Sequence, residues 1–185
     1  MKSTLPVRGR TVAVAAIAAV VLGTLLATVD ADASTGGFSA ETPPAQPSLA
    51  TAAMNSDRRT ALAPAGAPQQ VVDAIAAANR ITRKPYKWCG GHGRWRDSGY
   101  DCSGTVSYVL HAAGLLDAAR DSTGLMSYGE RGEGEWITVY AHGRHAYVII
   151  AGLRFDTSGR GEKGPRWRLE PRSARGYVKR HPSRL

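Results

Sequence analysis

Cysteine, acidic residues and aromatics are all scarce in this chain, and each shortage narrows what it can be. Only Cys89 and Cys102 occur in 185 residues, so at most one disulfide can form. Neither lies near the apolar N-terminal run, which excludes a lipid attached through a cysteine there. Arg8 and Arg10 are separated by Gly9, so no twin-arginine signal is present. There is no internal repeat. Asp and Glu number 15 against 24 Lys and Arg, a net charge of +9, and the excess is uneven. Lys2, Arg8 and Arg10 open the chain. Arg160, Lys163, Arg166, Arg168, Arg172, Arg175, Lys179, Arg180 and Arg184 crowd its end against Glu162 and Glu170 alone. A basic end of this kind suits an anionic partner (nucleic acid, acidic lipid or a phosphate-bearing polymer) or is a solvated surface. Trp167 and Tyr177 are interleaved with the charges, but no nucleic-acid motif or repeated aromatic platform accompanies them, so no nucleic-acid partner is expected. Trp88, Trp95, Trp136 and Trp167 are expected mainly in core or loop packing, with a sugar-stacking surface as the alternative.

Lys2, Arg8 and Arg10 precede the uncharged "TVAVAAIAAVVLGTLLATV", and Ala31-Asp32-Ala33 supplies a small-x-small cleavage site. Residues 1–33 therefore read as a secretory signal peptide. The alternative is an uncleaved membrane anchor, since the apolar run reaches the lower limit of about 18 residues for a span. Both place the remainder outside the cytoplasm. Residues 34–68, rich in Ala, Pro, Ser and Thr, lack large apolar side chains to offset their ordering entropy and read as a disordered linker.

Folding is expected from residue 69 to 185. "QQVVDAIAAANRI" sets Val72, Ile75, Ala76 and Asn79 at helical spacing. A Gly- and aromatic-rich loop follows, then "CSGTVSYVLHAAGLL". There Val106, Val109, Leu110 and Ala113 repeat at i, i+3, i+4 and i+7, and Gly114 marks a stop. Beyond about residue 134, "EWITVYA", "HAYVIIAGL" and "RFDTS" read as an antiparallel meander, with "GYVKRH" as a last strand. Helices first and strands after predict an α+β domain with helices packed on one side of a sheet.

Cys102 would sit at the start of the second helix. The positive end of the dipole and the free first-turn N–H groups favour thiolate there and can stabilise an oxyanion. Ser103 and Gly104 are small enough to let a substrate backbone approach. The competing reading is a Cys89–Cys102 disulfide. A nucleophile needs a base, and His145 opens the most strand-like segment, so sheet backbone would fix its imidazole opposite the helix. Asp156, after a turn at Gly152, is placed to orient His145 from the neighbouring strand. His142, His111 and His181 have bland positions, in a turn, mid-helix and in the basic segment, and His92 reads as a solvated loop residue, with lining a site as the alternative.

The combination "KPYKWCGGHG…GYDCSG", "HAYVIIAG" and "FDTS" over residues 69–158 resembles the NlpC-type family of bacterial cell-wall cysteine peptidases. The resemblance implies a papain-like α+β fold and a secreted, wall-associated endopeptidase. Such an enzyme hydrolyses amide bonds of peptidoglycan stem peptides through a thioester, without cofactor or metal. Cys102 matches the nucleophile and His145 the base, while Tyr86, Asp101 and Ser103 match positions that hold the free amine of the stem. Asp156 stands where relatives usually carry His, Asn or Gln. The Pro-Gly-Asp turn often found before the catalytic strand is absent, and Cys89 replaces a usual glycine. The implied partners are stem peptides and, through the basic C-terminal segment, anionic wall polymers. The alternative function is a catalytically silent wall-binding or structural module locked by the disulfide.

Overall fold

Alanine gives up no side-chain entropy in a helix, and "DAIAAAN" forms the middle of the first one, α1 (Gln69–Ile81). In this computed structural model, residues 51–159 and 163–185 are described; all fall within one unit, Pro44–Leu185. The expected signal peptide or anchor and the early part of the expected linker lie outside the described residues. α1 buries Val71, Ala74, Ile75, Ala77, Ala78 and Ile81. The stripe is rotated from the predicted one, which shares only Ile75, because Asn79 sits on the flank where polar partners meet it.

Those partners overturn the linker boundary at residue 68. Ala53–Met54 (β1) and Ala61–Leu62 (β2) form an antiparallel hairpin against α1. The Ala61 N–H donates to Asn79 Oδ1 at 2.9 Å, and Asn79 Nδ2 donates back to the Ala61 carbonyl at 2.8 Å. The Ala52 N–H reaches the Ala151 carbonyl at 2.9 Å. Hydrogen bonds from distant residues, not apolar bulk, order this segment, and composition does not record them. Asn79 Oδ1 also accepts from Trp167 Nε1 at 2.8 Å, so one amide joins hairpin, helix and sheet. Asn79→Ala is expected to destabilise the domain by about 2 kcal/mol, since it strands several buried partners at once; urea unfolding measures it.

The second helix, α2 (Cys102–Ala112), buries every residue from Ser103 to Leu110, as a helix covered on several sides must. It ends where predicted, with Gly114 at φ +69°. A short helix, α3 (Ser122–Leu125), precedes the strands β3 (Glu130–Arg131), β4 (Ile137–His142), β5 (His145–Ile150), β6 (Leu153–Asp156), β7 (Arg166–Arg168) and β8 (Val178–His181). β4 to β7 run as the expected meander. β8 does not follow β7: it returns between β3 and β4, giving the order β3-β8-β4-β5-β6-β7. The basic C-terminal segment is thus part of the sheet. Between β5 and β6, Ala151 and Gly152 both have positive φ, +44° and +79°, the tight two-residue turn that suits strand twist.

Register assigns the faces. Val139, Val148, Phe155 and Trp167 are aligned across four strands and buried on the side of the helices. Tyr140, Tyr147, Arg154, Asp156, Arg166 and Arg168 alternate onto the other face. Helices on one side of an antiparallel sheet, with Cys102 opening the helix that packs on β5, make the predicted α+β architecture.

Candidate active site

Asp101 begins the site by ending the loop before α2. Its backbone is extended and its Oδ1 accepts from the Gly104 N–H at 2.7 Å, the N-cap bond that fixes the first turn. The Ser103 hydroxyl donates to the same oxygen at 3.2 Å, and His92 Nε2 lies 3.0 and 3.1 Å from Oδ1 and Oδ2. His92 is thus a partner of the cap rather than the solvated residue expected. Gly104 serves a different end from the one predicted. A Cβ there would collide with the Gly90 carbonyl, so the space accommodates the preceding loop, not a substrate backbone.

Cys102 is the first residue of α2 and half-buried. Its thiol lies where the His145 side chain and the Ala146 N–H both act on it. Helix N-terminus and strand start therefore meet at one sulfur. Burial pushes the thiol pKa up, yet the His145 bond, the Ala146 N–H and the His145 charge together hold it below its ordinary value.

His145 Nε2 lies 2.9 Å from Asp156 Oδ1, which leaves Nδ1 as the nitrogen for Cys102. Burial alone would favour neutral imidazole. The bonds to Asp156 and Cys102 outweigh it and raise His145 to about 9. Asp156 is buried, which disfavours its charge, but His145, the Ser158 N–H (2.9 Å) and Arg172 hold its pKa below the usual range. Arg172 Nη1 is 3.1 Å from Asp156 Oδ2, and Arg154 Nε is 3.8 Å away. These shifts favour a thiolate–imidazolium pair backed by a carboxylate.

Sequence reasoning missed Arg172, Ser158 and Tyr177. Arg172 donates from Nη2 to the Tyr177 hydroxyl at 2.8 Å and lies over the Tyr147 and Tyr177 rings, 5.4 and 5.5 Å from their centroids. Tyr177 packs on His142, ring centroids 4.4 Å apart. His142 is the last residue of β4, paired with His145, rather than a turn residue. Only the interruption of the basic run by Tyr177 hinted at this cluster.

Tyr86 is partly exposed and bridges Tyr100 in the loop before α2. Burial raises its hydroxyl pKa, and negative charge at Cys102, Asp101 and Cys89 raises it further. Cys89 is exposed with φ +56°, a left-handed conformation that favours glycine. Both cysteines are free thiols, so the alternative Cys89–Cys102 bridge is not formed.

The fold and this geometry define a helix-borne thiol, a strand-borne imidazole and a carboxylate on an α+β scaffold. Among solved structures, the chain is similar to an NlpC/P60 family protein from Bacillus cereus ATCC 10987, with 20% identity and a TM-score of 0.47. The match covers 60% of this chain and 40% of that one, less than half of that protein's length. No family model and no curated protein matches the chain.

Proposed function

We propose that the protein is a cysteine peptidase that hydrolyses amide bonds in peptidoglycan stem peptides and acts outside the cytoplasm at the cell wall. The observation that carries the reaction type is a helix-start Cys102 thiol whose pKa His145 lowers, with that imidazole held by Asp156 at 2.9 Å. The substrate class is supported by the resemblance of the "GYDCSG" and "HAYVIIAG" motifs to cell-wall peptidases.

In this mechanism the Cys102 thiolate attacks the amide carbonyl, and the first-turn N–H groups of α2, with the Tyr86 hydroxyl, stabilise the oxyanion. His145 gives its Nδ1 proton to the departing amine, leaving a thioester on Cys102. Neutral His145 then takes a proton from water as its oxygen attacks the thioester. The thiolate is released and His145 is again cationic. Asp156 holds the ring orientation and the cationic form throughout. Tyr86, Asp101 and Ser103 receive the free amine of the stem, with Asp101 supplying the opposing charge.

Mass spectrometry of a defined muropeptide mixture tests the reading. The protein should release stem fragments with one new amine and one new carboxylate, and Cys102→Ala should release none. Equal release by that variant, or no release by the parent protein from any stem, would refute it.

A further inference from the structure

Arg172 reaches Asp156 from the connection between β7 and β8, and that connection is shaped to deliver it. The Tyr177 N–H donates to the Ala174 carbonyl at 3.1 Å, and Gly176 has φ +82°, the conformation that glycine supplies at the third position of a tight turn. The turn brings Tyr177 back onto Arg172. Nη2 donates to the Tyr177 hydroxyl at 2.8 Å, and the guanidinium lies against the Tyr147 and Tyr177 rings, which meet edge to face at 5.1 Å. Nη1 donates to Asp156 Oδ2 at 3.1 Å and also to the Ser158 hydroxyl. One planar fork thus spans three acceptors. Its side chain is 27% exposed, while that of Asp156 is 0% exposed, so the clamp is applied to a buried carboxylate from the solvent side.

We propose that Arg172 is a positioning residue of the peptidase site and that Tyr177 acts through it: the fork holds Asp156 Oδ2 so that Oδ1 stays aimed at His145 Nε2. The inference rests on the peptidase reading for its effect on turnover, but not for its effect on the thiol. The carboxylate torsion of an aspartate is broad, so rotation carries Oδ1 off the imidazole unless the second oxygen is held. Oδ1 accepts from His145 Nε2 and from the Ser158 N–H, each at 2.9 Å, and from the Ser158 hydroxyl at 3.2 Å. Oδ2 accepts from Arg172, whereas Arg154 Nε at 3.8 Å is beyond hydrogen-bond reach. Arg172 also fixes a proton. A guanidinium can only donate, so Ser158 Oγ accepts from it and turns its own O–H toward Oδ1. The fork, rather than the charge alone, performs both tasks. A lysine at this position keeps the charge and loses the planar fork, which separates the two.

Two readouts on the full chain test the clamp. Arg172→Lys should lower kcat for stem-peptide cleavage about 10-fold while KM changes less than about 2-fold, and it should slow Cys102 alkylation by iodoacetamide at neutral pH about 5-fold. Peptide mass spectrometry assigns the label to Cys102 rather than to the exposed Cys89. Tyr177→Phe keeps the ring and removes one hydroxyl, and should move both readouts the same way by about 3-fold. The double variant should be no slower than Arg172→Lys alone, because Tyr177 acts through the fork. Parental values in Arg172→Lys would show that charge suffices and would overturn the proposal. Additive losses in the double variant would overturn it too, as would thermal midpoints that fall while both readouts stay parental. The alkylation arm needs no substrate. Slowed alkylation in a protein that cleaves no stem peptide would support the clamp and refute the peptidase reading, and efficient cleavage with both readouts parental in the variants would do the reverse.

Discussion

His145→Ala should lower amide hydrolysis by about 10⁴-fold, and it should also silence Cys102 toward an alkylating reagent at neutral pH. Both effects have one cause. The Cys102 thiol is buried, and burial is the largest influence on it, pushing its pKa up. The His145 bond and charge reverse that push. Removing the imidazole leaves desolvation dominant, so thiolate should appear only above the ordinary thiol pKa of about 9. The parent protein should show alkylation that rises at lower pH, as the depressed thiol ionises. Its hydrolysis should decline again as His145 loses its proton near 9. These limbs belong to the coupled pair rather than to either residue alone. The stability linked to His145 has the matching sign: it is complete below the ordinary value of 6.5 and is lost as pH rises through about 9. Iodoacetamide rates and kcat/KM across pH measure the two readouts. Unchanged alkylation in the variant would sink the ion-pair account.

Asp156→Asn should have the largest effect on stability, a loss of about 3–5 kcal/mol, together with a fall in hydrolysis of about 10²–10⁴-fold. The substitution preserves shape and removes the anion. His145, Arg154 and Arg172 then face a neutral amide in a place where the Asp156 side chain has 0% exposure. Without the carboxylate the His145 pKa should drop from about 9 toward 6.5, moving the descending limb of the activity profile to lower pH. For Asp156 itself the folded pKa is depressed. Its stabilisation is present above the ordinary 3.8 and disappears as pH falls through the lower folded value. The variant should therefore lose the acid-dependent part of the parent's unfolding free energy. Chemical denaturation at several pH values reads this, and an upper limb that stays near 9 would refute the role given to Asp156.

The parts of the structure that could be read from the sequence are those written locally. Asp101 caps Gly104 three residues on, a spacing visible in "DCSG". His145 opens a run of β-branched residues, and Gly152 sets a hairpin tight enough to bring Asp156 beside it. The geometry of the candidate site is therefore within reach of short-range rules. What escaped depends on long-range contact. The β1–β2 hairpin contains only Ala, Met and Leu in its strands and is held by Asn79. β7 carries Trp167 between two arginines, a pattern resembling surface until Phe155 is placed beside it. Arg172 meets Asp156 from the connection between β7 and β8, and nothing in its neighbours marks it as different from Arg175. Gly104 was noticed for its size, but the identity of what fills the gap required the Gly90 loop.

The position of β8 has a consequence for the order in which the domain can be completed. A chain synthesised or threaded from its N-terminus presents β4 before its second neighbour exists. That edge stays open until residues 178–181 emerge, and Arg172 and Tyr177 arrive only just ahead of them. Until residues 172–181 are free to fold, neither the sheet nor the surroundings of Asp156 can close. Assembly of the thiol–imidazole pair is thereby tied to the docking of residues 172–181, the latest of the described elements to be made.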